Sequence, residues 1–302
     1  MNKVKIIKND YLQLNKKNFF HIKFLDKYSK SKVYVSKSGL VCHQPKMNSN
    51  ESLKVWSDKI FSKKIDTSKR KYSSFNPIMM SRHYYSALFL KKHLKKNLSF
   101  CDFGTGEGNF LIELYRIRKD LKISFVEDSK QNFDFTKKKF YLKYKKKIIG
   151  FNGSIENADF KNKKFDASSL IWTLCNCVDP LRVLKNIHKC LNKNGLLLIA
   201  ESSRIMVPFK KPIGNFFNKK FETKNTHPWF FSYYSLSNLL EISGFRIIET
   251  NRYFDENDLI VIAQKKNLKN HKPKITFENQ KKITKFLKMW KINSDHITFT
   301  KV

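Results

Sequence analysis

The sequence has few glycines and prolines, few acidic residues and no long apolar run. Nine glycines and seven prolines occur in 302 residues, and 25 acidic residues stand against 61 basic ones. A membrane-spanning helix needs roughly 18 to 20 consecutive apolar residues, and the polar start of the chain lacks the apolar centre of a secretory signal. We therefore expect a cytoplasmic protein with no membrane span.

Cysteine is too scarce and too irregularly spaced for a disulfide framework. The five cysteines are odd in number, and only Cys175 and Cys177 lie close together, at a CxC spacing. Structural zinc sites usually take paired CxxC spacings. We therefore expect reduced thiols and no bound metal.

Arginine is also scarce, although the formal net charge is +36 and 61 residues are basic. Proteins that grip nucleic acid usually carry arginine forks and clustered basic faces. Here lysine dominates and is spread along the whole chain. This distribution favours the codon bias of an AT-rich genome, rather than a dedicated RNA or DNA site, as the explanation of the basic composition. Non-specific binding of polyanions through counterion release is still expected.

The chain is expected to form one α/β domain with an addition at each end. Residues 1–75 are polar and weakly patterned, and we interpret them as an appendage outside the core. Residues 76–265 form the main domain, which an amphipathic helix opens. Residues 266–302 form a basic tail with one short helix at 278–289.

Strands and helices alternate through the main domain, a pattern typical of parallel βαβ units in a doubly wound, Rossmann-like sheet. A short polar turn separates the last two strands, so the last strand of the seven-stranded, mostly parallel sheet should be antiparallel. The predicted strands are 98–103, 122–127, 147–151, 165–172, 195–201, 245–253 and 259–264, and the predicted helices are 108–118, 131–144, 180–191 and 235–243.

Three of the nine glycines lie within five positions, at Gly104, Gly106 and Gly108. They follow the apolar strand LSFCDF and open a helix, where the backbone can turn sharply and approach a ligand. A dinucleotide fingerprint needs glycine where Asn109 stands, and the lysine of a P-loop is missing. The turn predicts a ligand without pyrophosphate; the alternative is an ordinary strand-to-helix turn.

An acidic residue ends the next predicted strand. Glu127 follows Gly104 by 23 residues, close to the roughly 20-residue offset at which a carboxylate accepts hydrogen bonds from ribose hydroxyls. Asp128 and Ser154 follow the second and third strands and are expected along the same carboxyl edge of the sheet. Together with the glycine turn, Glu127 favours a ribose-binding role over that of a solvated surface acid.

The segment CDFGTGEGNF resembles motif I of the class I S-adenosylmethionine-dependent methyltransferases, and SFVEDS resembles their second motif. The resemblance extends over residues 36–265. HPWFFSYYSLSNLLEISGFRIIE resembles the branch linked to sugar and cell-surface polysaccharide pathways, and SKSGLVCHQPKMNSNESLKVWSDKIF resembles the end of that branch's amino-terminal zinc-binding segment. The resemblance implies S-adenosylmethionine as cofactor.

The resemblance also implies a set of cofactor-binding residues. The glycine turn would line the methionine part of the cofactor, Asp102 would orient its amino group and Glu127 would bind the ribose diol. Other members would flank the adenine or, in the case of Trp172, lie beside the methionyl end. The full set is Asp102, Gly104, Thr105, Gly106, Gly108, Glu127, Asp128, Ser154, Ile155 and Trp172.

Two positions depart from the pattern of this branch. Cys175 and Asn176 stand where the branch often has a Glu-His pair, which removes an acid-base candidate. Ser36 and Gly39 do not form the expected CxxC, which implies a degenerate zinc segment without metal.

His227 is the leading candidate for a general base, because its loop should lie over the carboxyl edge of the sheet. The alternative is a packing role in an aromatic lid. The helix before the glycine turn brings further candidates for pocket contact, for which a surface or core role is favoured: Tyr72, Arg82, His83 and Tyr84.

The expected activity is methyl transfer from S-adenosylmethionine to a small-molecule or saccharide acceptor. One alternative is an RNA methyltransferase that uses the lysine-rich ends, although no RNA-binding module is recognisable. Another is a methyltransferase-like fold kept as a binding or scaffold subunit. The intact glycine turn and Glu127 favour the enzyme, since a scaffold need not keep a cofactor site.

Overall fold

The computed structural model describes the parts of the chain that carry the predicted motifs. The described residues are 3, 5, 8, 10, 18–29, 31–44, 48, 50–52, 77–157, 163–202, 204–206, 212–217, 227–251, 258–269 and 271–296. Tyr72 and the greater part of the predicted turn between the last two strands lie outside them. None of the described helices is both long and apolar enough to cross a membrane.

Eleven strands and seven α-helices occur in the described part of the chain. The strands are β1 (Phe19–His21), β2 (Lys32–Ser36), β3 (Val41–Gln44), β4 (Ser99–Phe103), β5 (Lys122–Glu127), β6 (Ile149–Asn152), β7 (Phe165–Ile171), β8 (Leu191–Glu201), β9 (Trp229–Phe230), β10 (Phe245–Thr250) and β11 (Leu259–Lys265). The helices are α1 (Pro77–Lys91), α2 (Asn109–Ile117), α3 (Lys130–Tyr144), α4 (Pro180–Cys190), α5 (Ile213–Phe217), α6 (Tyr233–Ile242) and α7 (Gln280–His296).

Seven strands form the central sheet, in the order β10-β11-β8-β7-β4-β5-β6. The strands from β8 to β6 pair in parallel, whereas β11 pairs antiparallel with both β8 and β10. This confirms the predicted Rossmann-like, mostly parallel sheet. Because the chain winds outward from β4 in one direction and then returns to β7 on its other side, the crevice at the carboxyl ends of β4 and β7 is the topological switch point.

Local sequence signals start the helices that support this crevice. The Ser129 hydroxyl accepts the backbone N–H of Asn132 at the start of α3. Asp179 caps α4 in the same way, with a proline at the first helical position, and Ser232 forms a capping box with Ser235 at the start of α6. Such caps satisfy backbone groups that a helix leaves unpaired and fix where it begins.

Two elements are longer than the sequence predicts. β8 begins at Leu191, because this residue pairs with Phe165 across a bulge ahead of the regular ladder. α7 continues to residue 296, because Trp290 is buried in a hydrophobic cluster and the Ser294 hydroxyl accepts the backbone N–H of Ile213. Both extensions depend on contacts between segments distant in sequence.

The amino-terminal strands and the carboxy-terminal helix pack on each other. β1, β2, β3 and β9 form a second, antiparallel sheet, and one hydrophobic cluster joins side chains of this sheet to α5 and α7. The expectation that residues 1–75 lie outside the core is wrong for Phe19, Leu40 and Cys42, which belong to the largest buried cluster. They are recruited because β9, which follows His227 in the chain, pairs with β3.

Candidate cofactor site

The glycine turn after β4 has a backbone that other residues rarely adopt. Gly104, Gly106 and Gly108 have φ angles of +71°, +55° and +73°, in the left-handed region that favours glycine. At two of these positions a side chain would also collide with the protein. A Cβ on Gly104 would lie 2.5 Å from Cγ2 of Thr173, and one on Gly108 would lie 2.8 Å from Cγ2 of Thr136.

Gly106 differs from the other two glycines because its outer face is open. A Cβ built on it would meet no atom of the described chain within 4 Å. Its N–H donates to Oε2 of Glu127 at 2.7 Å. Gly106 therefore presents bare backbone to free space directly beside the carboxylate at the end of β5.

Glu127 links the loops that follow β4 and β5. One carboxylate oxygen accepts the N–H of Gly106 at 2.7 Å and the other accepts the N–H of Ser129 at 3.0 Å. The side chain is only 7% exposed, and burial raises its pKa to about 7. The Asn132 side chain is a further hydrogen-bond partner of this carboxylate. Since a carboxylate offers about four acceptor sites, it keeps room for one more donor, such as a ribose hydroxyl.

Asp102 lies beneath the glycine turn and is almost completely buried. Its carboxylate accepts the hydroxyls of Ser169 and Thr105, each at 2.6 Å. These bonds tie β4 to β7 and to the turn. Burial raises the pKa of Asp102 to about 6, so the two hydroxyl donors stabilise a charge that its surroundings disfavour.

The residues predicted to surround the adenine follow β5 and β6. The amide of Asn152 donates to the carbonyl oxygens of Glu127 and Asp128 at 2.8 and 3.1 Å, which joins the two loops. Ser154 accepts the N–H of Glu156 at 3.2 Å, and the Ile155 side chain packs in the largest core cluster. The structure thus brings these residues to the same edge as Glu127.

Trp172 and His227 lie after β7 and before β9 and are connected through Asn176. The Asn176 amide donates to the Trp172 carbonyl at 2.8 Å, and its oxygen lies 2.5 Å from Nδ1 of His227. Cys175 Sγ is 3.8 Å from the same nitrogen. Cys175 and Asn176, the two residues after β7 that the sequence singles out, therefore both contact the histidine predicted from sequence.

Three residues of α1 that the sequence singles out point to different surroundings. The His83 ring packs against the Trp172 indole with ring centroids 4.7 Å apart and planes inclined at 50°. Arg82 Nε lies 3.9 Å from Asp258. Tyr84 packs under the Arg116 guanidinium, 4.4 Å from the ring centroid. Of the three, His83 is the one that contacts a predicted cofactor-site residue.

Two residues near the site were missed by sequence reasoning. Glu201 ends β8, is fully buried and accepts the N–H of Cys175 at 3.3 Å; burial raises its pKa to about 8. Its position as an acid at a strand end, as for Glu127, is a signal that could have identified it. Lys139 is 5% exposed and donates to the Glu107 carbonyl and to Asn109. No sequence pattern marks it, since lysine is common throughout.

A further feature of the molecule is the arrangement of the side chains that could ligate a metal. Among the residues that the structure describes, no group of three or more His, Cys, Asp and Glu side chains is arranged to hold a metal ion. All five cysteines are buried, and none of them forms a disulfide.

Comparison with known proteins places this arrangement among methyltransferases. The carboxy-S-adenosyl-L-methionine synthase of Campylobacter jejuni is 30% identical over 112 residues, 37% of this chain and 47% of that protein. The mitochondrial methyltransferase OMS1 of Saccharomyces cerevisiae is 24% identical over 206 residues, 63% of this chain and 42% of that protein. The chain thus spans less than half of the length of either relative.

A solved structure shares the fold at low sequence identity. The magnesium protoporphyrin IX methyltransferase of Synechocystis PCC 6803, determined with bound S-adenosylmethionine, superimposes with a TM-score of 0.52 and 12% identity, over 74% of this chain and 99% of that one. The family described as methyltransferase domain matches residues 80–250, which are more than half of the chain and include the glycine turn and Glu127. The chain therefore belongs to the methyltransferase domain family, and its cofactor is S-adenosylmethionine, as the sequence predicts.

Proposed function

We propose that this protein transfers a methyl group from S-adenosylmethionine to a small-molecule or saccharide acceptor. The observation that carries the proposal is the pairing of Glu127 with Gly106 at the switch point of the sheet. A buried carboxylate there suits a ribose diol, and the open glycine backbone leaves room for the methionine part of the cofactor.

The donors and charges around the turn fit this cofactor. Glu127 keeps room for one more hydrogen-bond donor, and the carboxyls of Asp102 and Asp128 lie nearby in a chain whose net charge is +36. Local negative charge favours a cation, and the bound cofactor supplies an activated methyl group on a positively charged sulfur. The task left to the protein is to hold the acceptor in line with this methyl group and to exclude water.

His227 is proposed as the base that takes a proton from the acceptor. Asn176 donates its amide N–H to the Trp172 carbonyl, and this fixes its oxygen towards Nδ1 of His227. Nδ1 must then carry the proton, which leaves the lone pair on Nε2. Asn176 is thus a positioning residue for His227 at the place where the family pattern has a histidine.

The finer placement in the branch linked to sugar and polysaccharide pathways is part of the proposal. It is supported by the resemblance before β10, whereas the turn after β2 departs from the branch, which has zinc ligands there. In this turn the Ser36 hydroxyl accepts the N–H of Leu40 at 3.0 Å and lies 2.9 Å from the Ser38 hydroxyl. These hydroxyl contacts would hold the turn in place of a metal.

We also propose the division into an addition at 1–75, a catalytic domain at 76–265 and an addition at 266–302, in which the two additions form one cap on the domain. The shared cluster of the second sheet and α7 supports this. A cytoplasmic location is proposed from the five cysteines, none of which forms a disulfide.

Calorimetric titration with S-adenosylhomocysteine tests the cofactor role of Glu127. We expect Glu127→Gln to weaken binding at least about tenfold, because a charge-assisted hydrogen bond contributes roughly 1.5–3 kcal/mol. Glu113→Gln is the matched control, since Glu113 is also buried but pairs with Arg116 on α2. Equal affinities of wild type and Glu127→Gln would contradict the proposal.

Two further measurements separate the alternatives. S-adenosylhomocysteine that co-purifies with the protein would argue against a scaffold role, and turnover with saccharide or small-molecule acceptors would establish the enzyme. An RNA acceptor would require RNA affinity that falls when residues 1–75 and 266–302 are deleted from the chain.

A further inference from the structure

Two contacting rings beside the proposed cofactor site, those of Trp172 and His83, each carry a buried nitrogen without a hydrogen-bond partner among the described residues. Nε1 of Trp172 and Nδ1 of His83 are both inaccessible to solvent, and neither has a hydrogen-bond partner within the described part of the chain. The rings are 4.7 Å apart and inclined at 50°. A buried polar atom left unsatisfied is costly, so one such atom on each of two contacting rings points to a ligand that would supply the missing hydrogen bonds.

The backbone holds Trp172 in an unusual conformation that keeps its indole against α1. Its φ angle is +53°, in the left-handed region that bulky residues avoid. The backbone N–H of Trp172 donates to the Ala200 carbonyl at 2.7 Å, and the backbone carbonyl of Trp172 accepts the side-chain amide of Asn176 at 2.8 Å. Residues held in such conformations by their surroundings concentrate at ligand-binding sites.

The charges that act on His83 are positive. Burial is the main reason that its pKa is lowered to about 4, and the positive charges of Lys139 and Arg82 lower it further. Lys139 lies on α3, and its ammonium group reaches the start of α2, where it donates to Glu107 and Asn109. Arg82 faces Asp258. Burial disfavours a charge of either sign, whereas the two nearby cations favour a negatively charged ligand atom.

The two ring nitrogens can both act as hydrogen-bond donors to an anion. The indole N–H of Trp172 can only donate, and Nδ1 of His83 donates in one of the two neutral tautomers. Two neutral N–H donors with two cations nearby match an anionic oxygen better than an alcohol or an amide. The planar carboxylate is the common small-molecule group that offers such oxygens.

We propose that Trp172 and His83 form a carboxylate subsite that holds the acid group of the methyl acceptor. This rests on the proposed methyl transfer and narrows the acceptor to small molecules or saccharides that carry a carboxylate. The subsite is next to the Trp172–Asn176–His227 chain of contacts, so an acceptor anchored there would present its reacting group towards His227.

Calorimetry with matched ligand pairs tests the subsite on the full chain saturated with S-adenosylhomocysteine. Benzoate is compared with benzamide, and glucuronate with glucose, because each pair differs in the negative charge. We expect at least one acid to bind at least about tenfold more tightly than its neutral match. Trp172→Phe keeps a ring and removes the N–H, so it should lower the ratio of acid to neutral affinity about tenfold. His83→Phe should lower this ratio by a similar factor.

His93→Phe is the control variant, because His93 is paired with Glu249 away from Trp172. Thermal unfolding of each variant establishes that it is folded, and Trp172→Phe and His83→Phe each test the subsite independently. Equal binding of acids and neutral ligands by the wild type would overturn the proposal, as would a charge preference that survives in both folded variants.

The same variants distinguish the acceptor's carboxylate from that of the cofactor. If the subsite holds the cofactor's own carboxylate, the variants will weaken S-adenosylhomocysteine but not methylthioadenosine, which lacks the amino-acid part, and the assignment to the acceptor is overturned. If S-adenosylhomocysteine does not bind the wild-type protein, the proposed function fails. The acids and their neutral matches are then compared in the absence of S-adenosylhomocysteine, and equal affinities would overturn the carboxylate subsite as well.

Discussion

Replacing Gly106 by alanine separates the cofactor site from the stability of the fold. The added methyl group would meet no atom of the described chain within 4 Å. Alanine also keeps the backbone N–H that donates to Glu127 at 2.7 Å. The substitution therefore changes two things only: the cost of a left-handed backbone and the space beside the turn.

The two effects have different magnitudes. At a φ of +55°, an L-residue costs roughly 1–2 kcal/mol more than glycine, which corresponds to a fall in Tm of about 2–8 °C for a domain of this size. If the methionine part of the cofactor passes over Gly106, the methyl group overpacks that contact by about 1–3 kcal/mol. Affinity should then fall roughly five- to 150-fold while the protein stays folded.

The assay is calorimetric titration with S-adenosylhomocysteine, combined with thermal unfolding. Gly104→Ala is the contrasting variant, because its Cβ would lie 2.5 Å from Cγ2 of Thr173, inside the protein. It should lose more stability than Gly106→Ala and regain part of it when combined with Thr173→Ala. Binding by Gly106→Ala within about twofold of wild type would refute the position of the cofactor over this glycine.

Three other predictions concern titration and packing. S-adenosylhomocysteine affinity should rise about tenfold from pH 6 to pH 8 as Glu127, whose pKa is about 7, becomes a hydrogen-bond acceptor, and calorimetry should find no such rise in Glu127→Gln. Glu201 has a pKa of about 8, against 4.5 when unperturbed, so the folded state binds the extra proton and stability falls by up to about 1.4 kcal/mol per pH unit across that window. Glu201→Gln should therefore exceed wild type in urea unfolding near pH 8 but not near pH 4.5, and an equal difference at both pH values would contradict this. Gly39→Ala would place its Cβ 2.8 Å from Cβ of Glu278 at a φ of +89°, so amide hydrogen exchange in α7 should accelerate; Lys37→Ala is the control, and unchanged exchange would argue against this contact.

The sequence predicts the central sheet because each strand there carries its own signal. β5 is predicted at its observed bounds, since an apolar run ends at an acid and a helix follows after Ser129. The antiparallel pairing of β11 follows from the short connection after β10. Elements whose limits depend on distant partners are predicted less well, as for β8, which starts at Leu191 because Phe165 pairs with it across a bulge.

The glycine turn and Glu127 could be identified from spacing alone, because backbone that must approach a ligand requires glycine whatever packs around it. The partners that define the proposed acceptor side come from three separate segments, and no local pattern links these segments. His83 meets Trp172 only because α1 folds over the end of β7, and Asn176 meets His227 only because β9 returns to β3. Their chemistry depends on burial and on the direction of each side chain.

The sequence by itself determined the sheet, the glycine turn and the carboxylate at the end of β5, since these follow from periodicity, spacing and the conformational freedom of glycine. Tertiary structure decided which buried groups share a site and what charge they carry. The pKa of Glu201 is raised by burial, and packing brings together the rings of Trp172 and His83, each of which has a buried nitrogen without a hydrogen-bond partner among the described residues. Both effects arise between residues far apart in the chain, where no local pattern records them.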